Sequence, residues 1–284
     1  MKLSIITINY NNKAGLQKTI DSVICQTWKD YEWIIIDGGS TDGSKELIEQ
    51  YQQYFAYWCS EPDKGVYNAM NKGITKAKGE YLNFMNSGDC FVCDSTLMDV
   101  FFKEISADIV AGPVLLSTGQ RLYQYQENIV EMLVHGGLCH QSSFIKKILF
   151  DNYKYNEDYH LVSDWIAFVE WLIFERKSFQ YIDVNIAIYN TNGMSSDGEV
   201  VKKERERYLR EHLGLAGQEL LQLYKERDHL NGELQIPAIK MIRYLYYNAP
   251  KWFSVLYRVI LIVVKIRDFV SRKKSYATFE KQLN

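Results

Sequence analysis

Along the first hundred residues the apolar positions follow two alternating rhythms. Leu3-Ser-Ile-Ile-Thr-Ile8 is a short apolar run with β-branched residues, and Lys13 to Gln26 then carries Leu16, Ile20, Val23 and Ile24 at helical spacing. The spacing predicts a strand followed by a helix. The unit repeats: Trp33-Ile-Ile-Ile36 predicts a second strand that stops at Asp37-Gly-Gly-Ser-Thr-Asp-Gly43, and Ser44 is placed to cap a helix running to about Tyr54. A short strand at Tyr57-Trp-Cys59 leads through Glu61-Pro-Asp-Lys-Gly65 to a helix with Ala69, Met70, Gly73, Ile74 and Ala77 on one face, and Tyr81 to Met85 is again strand. Strands alternating with helices in this way build an α/β fold, a mainly parallel sheet flanked by helices that binds ligands beyond the carboxyl ends of its strands.

Three polar signals fall at those ends and are expected to converge: Asn9-Tyr10-Asn11, Asp37, and Asn86-Ser-Gly-Asp89. After about residue 105 the pattern loosens. Strand-like runs remain at Ile109 to Ala111, Arg121 to Gln124 and His140 to Ile145, and a helix from about Asp164 to Phe174 has Ser163 as its expected cap. Glu199 to Glu233 is highly charged with helical tendency, and Ile236-Pro237 marks a break. The expected organisation is therefore an α/β domain over 1–235, in two halves (1–105 and 106–235), followed by a C-terminal helical extension over 236–284.

Composition changes the picture at the C-terminus. Hydrophobic residues at 47% and charged residues at 24% of the 284 positions describe a chain that folds rather than a disordered one. The formal charge of −2 conceals an asymmetry: from Lys240 to Asn284 ten Lys/Arg face only Asp268 and Glu280, a local +8 against −10 for the rest. Such a tail meets an anionic surface, and its apolar content favours phospholipid over nucleic acid. Trp252 to Val264 is thirteen mostly apolar residues, short of the ~20 needed to span a bilayer, so the tail is expected to lie in the membrane interface. The alternative is a helix packed on the catalytic domain or on the partner copy of a homodimer. Met1-Lys2 leads directly into the first strand, the pattern of a chain without a secretory signal, and the expected location is cytoplasmic, peripheral on the inner membrane face. Cys90 and Cys93 have no second pair to complete a four-thiolate zinc site.

Individual carboxylates carry two readings each. Asp37, at a strand end before a glycine-containing turn, can accept from a nucleobase or ribose, or can form an Asx turn. Asp89, in a turn with Asn86 and Ser87, offers hard oxygen to magnesium or manganese, which borrow further ligands from substrate phosphates; a purely structural turn is the alternative. The first strand is followed by Asn-Tyr-Asn-Asn instead of Gly-x-Gly-x-x-Gly, which argues against a dinucleotide-dependent dehydrogenase.

Over about residues 1–195 the ordered motifs resemble family 2 glycosyltransferases of the GT-A (Rossmann-like) fold, in particular bacterial polysaccharide enzymes of the colanic-acid type. The resemblance rests on Ser4-Ile-Ile-Thr-Ile-Asn-Tyr-Asn11, Ser22-Val-Ile-Cys-Gln-Thr27, Ile36-Asp-Gly-Gly-Ser-Thr-Asp-Gly43, Glu61-Pro-Asp-Lys-Gly65, Asn68-Ala-Met-Asn-Lys-Gly73, Ala77-Lys-Gly-Glu-Tyr81, Asn86-Ser-Gly-Asp89 and Ser163-Asp-Trp165. It implies a catalytic domain over 1–235 whose nucleotide-binding half is 1–105 and whose acceptor half is 106–235, with Tyr10, Asp37 and Asp63 holding the nucleotide base and ribose, Asn68 supporting the same pocket and Asn86 also contacting the nucleotide sugar. Asn86 and Asp89 occupy the region of the family's Asp-x-Asp motif, with Asp89 as metal ligand, and Gly88 stands where many members carry an acidic residue. Asp164 matches the catalytic base of an inverting transfer from a nucleotide-sugar donor, expected to be a UDP-sugar, to a saccharide or lipid-linked acceptor.

Other residues stay in competition. For Asp164 the alternative is charge complementarity at a helix start. Glu157 and Asp158 are rival bases. His140-Gln141 is read either as a contact to diphosphate or metal or as a structural pair, and Asn192-Gly-Met-Ser195 as a loop closing over the acceptor. A nucleotide-sugar-binding scaffold of the same fold, without turnover, is the alternative to an enzyme.

Overall fold

The computed structural model describes residues 1–116, 119, 121–122, 138–189 and 198–234. The expected boundary at Ile236, the basic tail and Asn192-Gly-Met-Ser195 lie outside these residues. The chain divides into two compact units, Met1–Tyr208 and Leu209–Asn284.

The first unit is built on a seven-stranded sheet. Its early strands and helices are β1 (Leu3–Asn9), α1 (Lys13–Ile24), β2 (Tyr31–Asp37), α2 (Ser44–Gln50), β3 (Tyr57–Ser60), α3 (Val66–Lys76) and β4 (Tyr81–Phe84). There follow β5 (Cys90–Phe91), α4 (Thr96–Phe101), β6 (Ile109–Ala111), β7 (Val114–Leu116), β8 (Arg121–Leu122), β9 (Ser143–Lys146), α5 (Ser163–Val169), β10 (Phe179–Tyr181), β11 (Ala187–Tyr189) and α6 (Gly198–Leu234). The large sheet has the order β10-β6-β9-β4-β1-β2-β3, and β5-β11-β7-β8 form a second sheet. Pairs among β1 to β4 are parallel, while β9 runs antiparallel to both β4 and β6.

β1 is buried along its whole length, as a central strand covered on both faces must be. Leu3 and Ile5 join Leu16, Ile20 and Val23 of α1 in one core, together with Trp33 and Ile35 of β2. Ile6 and Ile36 face α3, where Gly73 permits the approach: a Cβ there would stand 2.5 Å from Ile6 Cγ2. Ser4 and Thr7, polar residues inside β1, are satisfied. Ser4 Oγ donates to Glu32 at 2.6 Å, and Thr7 Oγ1 donates to the Met85 carbonyl at 2.7 Å while accepting from Trp33 Nε1 at 3.0 Å.

Several element ends differ from the sequence reading. Ser44 lies inside α2, and Gly43 (φ 88°) is the N-cap, because Asp42 Oδ1 already accepts from both the amide and the hydroxyl of Ser44. That helix stops at Gln50, with a 3-10 turn over Gln52–Tyr54. Ser163 is likewise the first helical residue with no side-chain cap bond, and the helix passes into a π turn over Glu170–Phe174. His140–Ser142 is a 3-10 turn and only Ser143–Lys146 is strand. Of Arg121 to Gln124, Arg121–Leu122 is strand and the remainder lies outside the described residues. α6 runs through the charged segment as expected, with non-helical backbone at Gly214 (φ 54°, ψ −128°). Among the described residues no helix is long and apolar enough to cross a membrane.

Candidate active site

The expected convergence at the carboxyl ends of β1, β2 and β4 is present. Asn9, the last residue of β1, donates through Nδ2 to Asp37 Oδ1 at 2.7 Å, and Asn12 Nδ2 reaches the Ser87 carbonyl at 3.0 Å. The Asn11 amide donates to Ser40 Oγ and the Thr41 amide to Asn11 Oδ1, each at 2.8 Å. Three loops far apart in sequence are thus stitched into one rim.

Asp37 sits beneath that rim, fully buried. Its carboxylate accepts from Asn9 Nδ2, the Ser40 amide, Ser40 Oγ and Ser60 Oγ, at 2.6 to 2.9 Å. Burial pushes the carboxyl up, but the bonds from Ser40, Ser60 and Asn9 outweigh it and hold Asp37 below the usual carboxylate range. These bonds fill the roughly four acceptor positions of an ionised carboxylate. Asp37 therefore fixes the Gly38-Gly39-Ser40 turn through the backbone amide three residues on.

Above the turn stand Tyr10 and Asp63. A Cβ on Gly38 would lie 2.6 Å from Asp63 Oδ2 and 3.1 Å from Tyr10 Cδ2, so the bare glycine is what lets both side chains close over it. The Tyr10 ring is 65% exposed, and Asp63 Oδ1 is held by the Gly65 amide at 2.8 Å. Asn68 points to another neighbour: it accepts from the Lys64 amide at 3.3 Å and donates to Glu157 Oε2 at 2.9 Å.

The turn after β4 is organised by Thr19 of α1. Its hydroxyl donates to the Asp89 carbonyl at 2.7 Å and accepts from the Gly88 amide at 3.0 Å. Gly88 has φ 106°, a left-handed conformation that side-chain-bearing residues rarely adopt. The departure from an acidic residue at this position is therefore a backbone requirement of this turn. Asp89 is buried, and its charge is felt at His140.

From the same turn a hydrogen-bonded chain runs to Asp164. Asn86 Nδ2 meets His140 Nε2 at 3.0 Å, and His140 Nδ1 meets Asp164 Oδ2 at 2.8 Å. Asp164 Oδ1 accepts from the hydroxyl of Tyr67 at 2.8 Å and from the Trp165 amide at 2.9 Å. Burial raises the Asp164 carboxyl, yet His140, Tyr67 and the Trp165 amide together hold it below the usual range. For His140 burial lowers the imidazole, and Asp164 followed by Asp89 more than reverses it, so its net shift is upward. The rival acids are engaged differently. Glu157 takes the amides of Asn68 and Asn71, and Asp158 has its main-chain carbonyl bonded by Arg207.

Three contributors to this network carry little sequence signal. Tyr67 shares the helical face of Met70 and Ile74 at spacings of three and seven, so its burial was legible, although its partner was not. The His140 bond to Asp164 joins a 3-10 turn to the first turn of α5 and had no local signature. Arg205 stacks over Trp165 at 5.0 Å, and its burial, which lowers the guanidinium, is opposed by the charge of Asp164; it is one basic residue among many on a charged helix.

Residues 4–167 match the family model for glycosyl transferase family 2. The chain belongs to this family. An uncharacterized glycosyltransferase of Mycobacterium tuberculosis is 42% identical over 113 residues, which is 39% of this chain and 42% of that protein, so the match spans less than half the relative's length. A PGL/p-HBAD biosynthesis glycosyltransferase of Mycobacterium bovis is 30% identical over 208 residues, covering 71% of this chain and 81% of its own. Among solved structures, Staphylococcus aureus TarS in complex with UDP aligns with a TM-score of 0.59 at 16% identity, covering 75% of this chain and 66% of that one. A mannosyltransferase of Pyrobaculum calidifontis in complex with GDP-Man and Mn²⁺ aligns at 0.55 and 14% identity, over 76% and 64%. At these identities the structural likeness speaks to fold, which is GT-A in this family 2 protein.

Proposed function

We propose that the protein is an inverting transferase that moves a sugar from a nucleoside-diphosphate sugar to an acceptor hydroxyl, with Asp164 as general base. The observation that carries this reading is the part-buried carboxylate of Asp164 held by His140, Tyr67 and the Trp165 amide at the end of a chain that starts in the Asn86–Asp89 turn. A carboxylate kept ionised by three donors is available to accept a proton at neutral pH. In the reaction the acceptor oxygen forms a bond to the anomeric carbon and its proton goes to Asp164. The bond from that carbon to the diphosphate oxygen breaks on the opposite face.

On the donor side, the exposed Tyr10 ring and Asp63 over Gly38 offer a stacking face and an acceptor for the base, while Asp37 keeps the turn beneath them in shape. Asn86 stands at the junction of the donor turn and the His140 chain. Among the described residues no group of three or more His, Cys, Asp or Glu side chains could hold a metal ion unaided. The donor set fits a Mg²⁺ or Mn²⁺ ion bound jointly by Asp89 and the diphosphate oxygens, and such an ion would neutralise charge on the leaving group. The neighbours bound to UDP or to GDP-Man and Mn²⁺ support a nucleotide-sugar donor and a divalent cation.

The acceptor is inferred to be a saccharide or a lipid-linked saccharide of the cell surface, handled at the inner face of the cytoplasmic membrane with the basic tail on anionic headgroups. The relative named for PGL/p-HBAD biosynthesis supports a glycolipid product. Incubating the protein with a panel of nucleotide sugars, manganese and glycolipid extracts, then reading the anomeric configuration of the product by NMR, tests this reading. A single inverted anomer whose formation is abolished by Asp89→Asn is expected; a retained anomer overturns the inverting mechanism, and donor binding without turnover favours the scaffold.

A further inference from the structure

Beside Asp164, a cleft of about 180 Å³ opens between the start of α3 and the segment that precedes α5, lined by Lys64 to Asn68 on one wall and Glu157 and Tyr159 to Leu161 on the other. We propose that this cleft is the acceptor subsite and that it takes one sugar ring. The inference rests on the transferase reading and identifies where the acceptor, as distinct from the donor, is held.

Four observations support it. The volume lies below the ~300–1,000 Å³ typical of pockets for drug-sized ligands, which suits a single ring and not a nucleotide sugar. Its lining is mainly apolar, with Val66, Tyr67, Tyr159 and Leu161 presenting surface to the C–H face of a ring, while the polar groups of Lys64, Asn68, Glu157 and His160 stand at its margin. A sugar ring has the matching character, with apolar C–H faces and hydroxyls around its edge. Next, the cleft is one side chain from the base, since Tyr67 lines it and its hydroxyl is bonded to Asp164. The second wall also runs within three residues of Leu161 into α5, the helix that carries Asp164.

Finally, that wall is held in place. Glu204 of α6 accepts from the amides of His160 and Leu161 at 2.8 and 2.9 Å. Arg207 donates to the Asp158 carbonyl at 3.0 Å and lies 3.9 Å from the Tyr159 ring centroid. The opposite wall is tied across by Asn68 and Asn71, which both donate to Glu157. A cleft pre-set by side-chain ties loses less entropy on binding than one closed by its ligand. Lys64 and His160 are exposed at the rim and free to choose the ring substituents.

The test uses the full chain. Saturation-transfer NMR with a panel of methyl glycosides reads ring binding without turnover, and kinetics with the nucleotide sugar read its consequence. At least one glycoside is expected to receive saturation from the parent and to lose it in Val66→Trp, which fills the cleft. Lys64→Ala with His160→Ala is expected to raise the acceptor KM at least tenfold while the donor Kd stays within twofold. No saturation of any glycoside, an unchanged acceptor KM, or a donor Kd that rises with the acceptor KM overturns the assignment. Saturation lost in Val66→Trp without transfer by the parent leaves the cleft assigned and sinks the transferase reading instead.

Discussion

Replacing His140 by Gln removes its bond to Asp164, which is an ion pair only when the imidazole is protonated. The two side chains are only 18% and 15% exposed, and the Nδ1 to Oδ2 distance is 2.8 Å. A hydrogen bond to a charged group contributes about 1.5–3 kcal/mol. In a unit of about 200 residues each kcal/mol shifts Tm by roughly 2–4 °C, so His140→Gln should lower Tm by about 3–12 °C where the pair is charged. The sign with pH follows from the two shifts, which describe one interaction. His140 is raised, so its share is complete below the ordinary imidazole value of about 6.5 and is lost as pH rises through the higher folded value. Asp164 is depressed, so its share is complete above the ordinary carboxyl value of about 3.9 and is lost as pH falls through the lower folded value. Thermal unfolding of parent and variant from pH 5 to 9 should therefore show the widest gap at pH 5–6, narrowing above. A gap that stays constant over that range, or widens with pH, would refute the charged pair.

Three further outcomes follow from the same geometry. Asp37→Asn strands several of the donors that now meet one buried carboxylate, and should cost roughly 2–4 kcal/mol in denaturant melts at pH 7. Because Asp37 is depressed, the cost should disappear as pH falls through its folded value, and an equal cost at pH 3 would contradict the assignment. Tyr67→Phe removes one donor from Asp164, so the acid limb of the kcat/KM profile should move up by about one pH unit with donor Kd unchanged; an unmoved limb counts against Asp164 as the titrating base. Gly88→Ala places a side chain at φ 106° and should cost about 1–3 kcal/mol of unfolding free energy in denaturant melts, whereas a neutral effect would show that the turn relaxes freely.

The fold was legible wherever local pattern and tertiary burial agree. β1 to β4 with α1 to α3 follow from runs of Ile and Leu at two periods, since central parallel strands and amphipathic helices leave those marks. Helix starts were missed by one residue at Ser44 and Ser163 for a physical reason: the Asp42 carboxylate does the turn chemistry in one case, and in the other the helix begins without a side-chain cap. The site was legible in its parts. Strand-end positions marked Asp37 and Asp89, but whether Asp37 faces a ligand or its own turn depended on Ser40 and Ser60. The Asp164 surroundings were least legible, because Tyr67 is 97 positions away and His140 is 24, and no periodicity reports such a pairing. Gly88, read from the motif as a departure, is explained by a backbone angle that a sequence does not display.

The central claim is that Asp164 removes the acceptor proton, and the transfer rate of Asp164→Asn at saturating donor and acceptor tests it most directly, alongside donor affinity. Removal of a general base costs typically 10²–10⁴-fold. The account predicts a fall of at least about 100-fold with donor Kd unchanged. Transfer by Asp164→Asn at the parental rate would contradict it.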